Sequence, residues 1–186
     1  MKRSEQLSKL NETKEWDVII IGGGASGLGT ALDAASRGYK TIMVEAVDFA
    51  KGTSSRSTKL VHGGVRYLEQ GDISLVKEAL KERGLMAQNA GHVVKNQTFV
   101  IPNYNWWGGY FYTIGLTVYD LLAGRLSLGR SKYISKKKTI ELLPTVEQKG
   151  LVSGVIYHDG QFDDSRLAIN LAQTAVEKGA CVLNYT

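Results

Sequence analysis

The chain has 186 residues, of which 43% are hydrophobic and 22% are charged, a composition typical of a folded domain or part of one. This composition excludes collagen, a coiled coil and a wholly disordered chain. The single cysteine, Cys181, cannot form an intramolecular disulfide, and residues 1–15 contain Lys, Arg and Glu without an apolar core. We therefore predict no secretory signal and expect a reducing, cytoplasmic compartment.

The formal net charge of +5 is too small to indicate nucleic acid as a partner, but it fits an anionic ligand or a lipid surface. Residues 121–140 contain six basic side chains and no acidic one. A solvated face is the simplest interpretation of this stretch. Because Trp106, Trp107, Tyr110, Phe111 and Tyr112 lie just before it, peripheral contact with the inner face of the cell membrane is the alternative.

The first elements follow the order strand, helix, strand. Residues 1–15 have no apolar period and are expected to form a loose polar tail. Val18–Ile21 is short, β-branched and apolar on both faces, which predicts a strand buried in a parallel sheet. A helix is predicted from Ala25 to the glycine at 38, and a strand over residues 41–44.

The rest of the chain alternates between loops, helices and short strands. Residues 51–64 are rich in Ser, Thr and Gly and predict a loop, and Asp72 is a suitable N-cap for the helix that follows. The remaining predictions are a strand over 98–101 ended by Pro102, a buried or interfacial helix over 106–122, a strand over 151–157, a helix capped by Asp163 or Asp164 and ended by Gly179, and a last strand at Val182. The helix over 106–122 is shorter than the ~20 apolar residues of a membrane span.

Gly22, Gly24 and Gly27 form a G-x-G-x-x-G pattern between the first strand and the first helix, and Glu45 ends the next strand. In a dinucleotide site the first glycine makes the tight turn, the second admits the pyrophosphate and the third lets helix and strand pack closely. Glu45 would accept hydrogen bonds from the adenosine ribose. The alternative is a tight turn without a ligand, and the pattern alone does not separate FAD from NAD.

A second group of polar residues fills the loop before the second helix. It offers Ser and Thr hydroxyls, then the glycine pair Gly63 and Gly64 where a flat ring could approach, then Arg66, whose guanidinium suits a phosphate or carboxylate. A solvated Ser/Thr loop is an equally good interpretation of this composition alone. No Cys/His spacing indicates a metal site.

Five segments resemble the flavin-dependent glycerol-3-phosphate dehydrogenases, within the D-amino-acid-oxidase-like flavoproteins. The similarity spans about residues 16–186 and is most specific in the block that begins at Thr53 and ends with residues 62–68. The segments are residues 16–27, 53–69, 99–102, 119–122 and 157–167. The resemblance implies FAD as cofactor and oxidation of sn-glycerol 3-phosphate to dihydroxyacetone phosphate, a step of glycerol metabolism, with electrons passed to a quinone at a membrane.

The resemblance also implies roles for single residues. Glu45 would bind the adenosine ribose, His62 and Gly63 would lie near the flavin ring, and Arg66 would face the substrate. His62 is either the general base for the substrate hydroxyl or a histidine that positions the loop. The residues expected along the pyrophosphate, the ribitol and the flavin are Ser54, Ser55, Ser57, Lys59 and Leu60.

The predicted fold is α/β, a doubly wound Rossmann-like FAD-binding domain with an inserted substrate-capping region. The FAD-binding domain is expected over residues 16–92 and 161–186, incomplete at its C-terminus, with the capping region over 93–160 and the polar tail over 1–15. The sequence therefore resembles the N-terminal part of a longer protein and could be inactive alone. Two other functions stay open, a glycerol-3-phosphate oxidase that reduces oxygen and a non-catalytic FAD-binding fragment.

Overall fold

The computed structural model describes residues 1–64, 67, 68 and 70–186, which form two compact units, residues 1–59 with 163–186 and residues 60–162. The predicted boundaries at 92/93 and 160/161 concern function and stay a prediction. The strands are β1 (Val18–Ile21), β2 (Thr41–Glu45), β3 (Leu60–Val61), β4 (Val94–Asn103), β5 (Lys132–Ser135), β6 (Ser153–Phe162) and β7 (Cys181–Asn184). The α-helices are α1 (Arg3–Glu12), α2 (Ala25–Ser36), α3 (Ile73–Asn89), α4 (Gly108–Ala123), α5 (Lys136–Leu142) and α6 (Asp164–Glu177).

The first unit is a parallel three-stranded sheet in the order β1–β2–β7. Met43 of β2 and Val182 of β7 pack with Leu28 of α2 and with the alanine stripe of α6. Small alanine side chains at helical spacing let α2 and α6 approach each other and the sheet closely. The predicted strand–helix–strand order and the predicted α/β class are therefore confirmed.

The opposite sheet face is covered only in part. Ile42, Cys181 and Leu183 pack there with Leu10 of α1, over β2 and β7. Ile19 and Ile21 of β1 are 66% and 86% exposed. The prediction that this strand is buried on both faces is therefore wrong for one face.

The N-terminal residues form α1 instead of the expected loose tail. The Gln6 side chain is buried, and its Oε1 accepts a hydrogen bond from the Val182 N–H at 3.0 Å. Arg3 and Lys9 donate to the backbone oxygens of Asn184 and Gly179. The helix is attached to β7 by polar side chains, which a search for apolar periodicity does not detect.

The second unit is an antiparallel sheet in which β6 pairs with β4 along one side and with β3 and β5 along the other. Val76 and Leu80 of α3 form its apolar core with Tyr119 and Ala123 of α4. The longest apolar helix, α4, has 16 residues, and no helix among the described residues is long and apolar enough to cross a membrane.

Two strands of this unit are longer than predicted. β4 continues through Pro102 to Asn103, whereas the sequence predicted an end at the proline. Among the described residues β4 pairs only with β6, and an edge strand tolerates a proline whose missing N–H faces away from the ladder. β6 extends past residue 157 because its polar end stays paired with β4 and because Asp159 has a buried partner, Arg83.

The predicted helix starts are confirmed. The Asp72 side chain accepts a hydrogen bond from the Leu75 N–H at 3.0 Å at the start of α3. Asp163 caps α6 by accepting from the Arg166 N–H at 2.9 Å. The neighbouring Asp164, the alternative cap in the sequence, is left to bind elsewhere.

Candidate cofactor site

Two of the three motif glycines are required by the fold itself. Gly22 follows β1 with φ +112°, a conformation that side chains rarely adopt, and its N–H donates to the Val44 oxygen at 2.8 Å. A Cβ on Gly27 would lie 1.9 Å from the Gly22 oxygen, so helix α2 packs against the turn only without a side chain there. These contacts confirm the tight turn and the close packing that the motif predicts.

Gly24 differs from them because it has a negative φ and no close backbone atom of the described residues beside an added Cβ. Among the described residues, the only heavy atom within 4 Å of its added Cβ would be the Ser54 Oγ at 3.2 Å. Gly24 is the N-cap of α2, and the Ala25 N–H donates to that same Ser54 Oγ at 2.9 Å. The structure therefore brings Gly24 and Ser54 together at a helix N-terminus, where N–H groups and the helix dipole favour an anion such as a pyrophosphate.

Glu45 lies at the end of β2 and closes the turn from the other side. Its Oε2 accepts a hydrogen bond from the Gly23 N–H at 2.6 Å, and its Oε1 accepts from the Val47 N–H at 2.8 Å. The Gly23 bond, followed by the Val47 bond, lowers the pKa of the Glu45 carboxyl. Because each carboxylate oxygen can accept more than one hydrogen bond, both remain able to accept from ribose hydroxyls.

The middle glycine, Gly23, was missed by the motif analysis. A Cβ on it would lie 2.8 Å from Phe49 Cδ1 and 3.0 Å from Glu45 Cβ. The Ala50 N–H also donates to the Gly23 oxygen at 2.8 Å. Gly23 thus attaches the turn to the chain after β2, and three consecutive glycines were the only sequence signal for it.

The loop before β3 is fixed to helix α6 by Asp164, which is buried. Lys59 Nζ donates to Asp164 Oδ1 at 2.5 Å and to the Ser55 oxygen at 2.7 Å, and Ser57 Oγ donates to Asp164 Oδ2. Burial alone would raise the pKa of the Asp164 carboxyl, but the bonds from Lys59 and Ser57 outweigh it and lower that pKa. Lys59 has φ +62°, a left-handed conformation that this ion pair helps to stabilise.

The side chains of Ser57 and Lys59 therefore donate their hydrogen bonds to groups of the protein itself. Ser55 lies in a 3₁₀ turn over Thr53–Ser55, with its Oγ 3.4 Å from the Gly52 oxygen. The sequence predicted these residues as direct contacts of a cofactor, which stays a prediction. The structure adds Asp164 as the residue that orders them, and its position beside a helix cap had concealed this role.

In the second unit, Leu60 is half-buried in β3 and paired with Gln161 of β6, while His62 is exposed. Gly63 is buried, and its N–H donates to the Tyr119 Oη at 2.7 Å. Gly64 has φ +73°. Arg66 lies outside the described residues.

Comparison with known proteins gives concordant matches. The family described as FAD dependent oxidoreductase matches residues 17–186. The chain is 45% identical to the mitochondrial glycerol-3-phosphate dehydrogenase of Rattus norvegicus over 98% of its length and 26% of that protein. It is 46% identical to that of Saccharomyces cerevisiae over 100% of its length and 30% of that protein. The chain thus spans less than a third of the length of these relatives.

Solved structures agree with the sequence matches. The glycerol-3-phosphate dehydrogenase of Bacillus halodurans, complexed with FAD, has a TM-score of 0.71 and 34% identity, covering 99% of this chain and 29% of that one. L-proline dehydrogenase of P. horikoshii has a TM-score of 0.71 at 18% identity, a likeness of fold alone, over 92% of this chain and 44% of that one. With its glycine turn, its parallel sheet and 170 matched positions, residues 17–186, the chain belongs to the FAD dependent oxidoreductase family.

Proposed function

We propose that this chain carries the dinucleotide-binding part of an FAD-dependent glycerol-3-phosphate dehydrogenase. The reaction would oxidise sn-glycerol 3-phosphate to dihydroxyacetone phosphate and pass the electrons to a quinone. The observation that carries the proposal is Gly24 at the N-terminus of α2, with Ser54 beside it and Glu45 at the end of the adjacent strand. The names of the similar proteins supply the substrate.

Each part of the first unit fits one part of the cofactor. The pyrophosphate would lie over Gly24 and Ser54, where no backbone atom of the described residues lies near the position of a Gly24 Cβ. The adenosine ribose would donate to Glu45, whose charge is kept by the Gly23 and Val47 N–H groups. A charged acceptor at this position favours ribose hydroxyls over a 2′-phosphate, which fits FAD.

The second unit would supply groups for the substrate. Bound FAD supplies the hydride acceptor for oxidation of a secondary alcohol. His62 is exposed, so its imidazole is available to take the proton of the substrate hydroxyl. The alternative role of His62 is to position the loop. From the sequence resemblance we propose that Arg66 binds substrate oxygens with its planar guanidinium.

An absorbance spectrum of the purified full-length protein, taken before and after anaerobic addition of sn-glycerol 3-phosphate, tests cofactor and substrate together. We expect a yellow protein that bleaches as hydride reaches the flavin. A colourless protein would contradict the proposal, and a yellow protein that does not bleach would favour a non-catalytic FAD-binding fragment. Rapid oxygen consumption with peroxide formation would identify an oxidase instead.

We also propose that the second unit touches anionic lipid at the inner face of the cell membrane, where a quinone is available. One face of α4 and its N-cap residue carries exposed apolar side chains at helical spacing, namely Trp107, Phe111, Ile114, Val118 and Leu121. Exposed basic residues of the same unit include Arg125, Arg130, Lys132 and Lys137. An apolar helix face with nearby cations is the usual composition of a membrane-surface contact.

A further inference from the structure

A buried polar cluster lies beneath Gly63 in the second unit. Arg83, Tyr119 and Asp159 are 2%, 1% and 3% exposed, although all three carry polar groups. Arg83 Nη1 donates to Asp159 Oδ1 at 3.0 Å. Tyr119 Oη donates to Asp159 Oδ2 at 3.3 Å and accepts from the Gly63 N–H at 2.7 Å. The cluster therefore connects a buried ion pair to one backbone amide.

Stability alone is a weak reason for this arrangement. Desolvation of two buried charges offsets much of their attraction, and well-packed apolar residues often replace such a pair without loss. Within the part of the chain that the structure describes, Arg83 Nε has no hydrogen-bond partner, so the cluster is not fully satisfied there either. The geometry instead fixes the orientation of the hydroxyl, because it donates its hydrogen bond to Asp159 and its oxygen accepts from the Gly63 N–H.

The Tyr119 hydroxyl must stay protonated to donate to Asp159 while it accepts from Gly63. Burial, and then the neighbouring Asp159 charge, raise the pKa of Tyr119, so its hydroxyl stays protonated. Arg83 lies with its guanidinium carbon 5.7 Å from the centre of the Tyr119 ring and also contacts the hydroxyl at 3.5 Å. The tyrosine is thus restrained at both its ring and its hydroxyl.

Gly63 lies so close to this support that no side chain would fit there. A Cβ on it would lie 2.4 Å from Tyr119 Oη and 2.3 Å from Leu80 Cδ2, so the backbone is pressed against α3 and α4. His62 precedes it as an exposed side chain, and Gly64 follows with a positive φ. The hydrogen bond from the Gly63 N–H to the Tyr119 Oη therefore holds the backbone at the middle of the segment from His62 to Gly64.

We propose that Tyr119, held by Asp159 and Arg83, is a positioning residue that fixes the Gly63 amide and thereby the orientation of His62 and Gly64 toward the flavin and the substrate. This inference rests on the proposed function, which places that segment near the flavin. Tyr119 touches neither substrate nor cofactor in this account. It acts through Gly63, with which it is in direct contact.

The test is Tyr119→Phe in the purified full-length holoprotein, because phenylalanine keeps the ring and removes only the hydroxyl. We expect the FAD content to be retained, the flavin absorbance spectrum and reduction potential to change, and kcat for sn-glycerol 3-phosphate to fall about 10-fold or more with KM within about twofold, since misplaced groups lower the rate of the chemical step. Tyr104→Phe is the matched control, because its hydroxyl bonds the Glu147 oxygen at 3.0 Å on the surface of the same unit.

The outcomes separate this inference from the proposed function. A parent protein without FAD, or one that the substrate does not bleach, overturns both. A competent parent whose Tyr119→Phe variant keeps the parental spectrum, potential and kcat, with only a lower melting temperature, overturns the inference alone. If Tyr119→Phe loses FAD, the second variant is Asp159→Asn, which keeps the tyrosine hydroxyl but removes the charge that orients it. The same spectrum, potential and kcat, measured on this variant, then decide whether the inference holds.

Discussion

Lys59 Nζ lies 2.5 Å from Asp164 Oδ1, so the loop that precedes the second unit is tied to the first turn of helix α6. The two residues are 105 positions apart in the sequence. Ser57 shares the same carboxylate. Order in the predicted cofactor loop therefore depends on one acidic side chain from the far end of the chain.

Asp164→Asn should loosen this loop and weaken FAD binding. An amide keeps the shape but loses the ion pair, and Asp164 is buried, although the 40% exposure of the Lys59 side chain reduces the effect. We expect a loss of about 1–3 kcal/mol in the free energy of unfolding, measured by urea titration. Asp33→Asn breaks the exposed pair with Arg37 and is the control, with a loss below about 0.5 kcal/mol. Equal effects would show that the buried pair adds nothing.

Substitution of three glycines in the first unit should separate packing from cofactor binding. Gly27→Ala should destabilise the fold by several kcal/mol, because its Cβ would overlap the Gly22 oxygen. Gly24→Val should leave most of the sheet intact and abolish FAD binding, since a side chain would occupy the space of the pyrophosphate. Gly29 lies in α2 with nothing within 4 Å of an added Cβ, so Gly29→Ala should stabilise by about 0.5–1 kcal/mol.

Urea titration and bound-flavin absorbance, measured on each glycine variant, distinguish these cases. Full FAD occupancy in folded Gly24→Val would remove the pyrophosphate from this position. An unfolded Gly24→Val would mean that the glycine serves the fold, as Gly27 does.

Much of the first unit, and one helix start of the second, could be predicted from the sequence because their signals are local. The glycine turn, the helix starting at Ala25 and the N-caps at Asp72 and Asp163 depend on residues a few positions apart. The position of Glu45 at the end of its strand followed in the same way. Such signals need no knowledge of the tertiary fold.

The features that were missed depend on residues distant in the sequence. Asp164 was predicted only as a possible helix cap, yet it binds Lys59. Tyr119 and Asp159 are polar residues whose burial is made acceptable by partners on other elements. The tail became α1 because Gln6 binds the amide of Val182. Hydrophobic periodicity contains no information on such long-range polar pairs.

Neutralising the basic surface should weaken membrane contact. Each Lys near an anionic surface contributes about 1 kcal/mol, so replacing Lys136, Lys137 and Lys138 by Gln should move a large fraction of the protein from anionic vesicles into solution. Lys138 should contribute least, because it pairs with Glu141 at 2.8 Å. Replacing Lys14, Lys40 and Lys51 of the first unit changes the charge equally and is the control. Equal cosedimentation of both variants and the parent would make the stretch an ordinary solvated face.

The apolar face of α4 gives a second, salt-independent test of the same contact. Leu121 is 75% exposed, so Leu121→Gln should leave the free energy of unfolding nearly unchanged. The variant should nevertheless bind vesicles more weakly, because burial of a leucine side chain in lipid contributes about 1.5–3 kcal/mol. If Leu121→Gln binds vesicles at high salt as strongly as the parent does, α4 does not enter the lipid surface.

Arg66, placed at the substrate by the sequence resemblance, should affect catalysis and leave cofactor content unchanged. If the guanidinium binds substrate oxygens in a desolvated site, Arg66→Ala should lower kcat/KM on the order of 100-fold, a loss of a few kcal/mol in transition-state stabilisation. Arg66→Lys should recover part of the loss, because an ammonium keeps the charge without the planar pair of donors. Steady-state kinetics at matched flavin content measure both. Parental kcat/KM in Arg66→Ala would remove this residue from the active site.

Glu45 should make FAD binding sensitive to acid, with a sign fixed by its hydrogen bonds. Because the N–H groups of Gly23 and Val47 lower the pKa of Glu45 in the folded protein, the carboxylate is charged above the ordinary glutamate value of about 4.3. Its contribution to FAD binding is lost as the pH falls through the lowered pKa. Glu45→Gln should weaken FAD binding at neutral pH by about 1–3 kcal/mol and abolish this acid-dependent part. Flavin fluorescence titrations across the acidic range measure both effects, with the exposed Glu177→Gln as control. Parental affinity in Glu45→Gln would mean that another group binds the ribose.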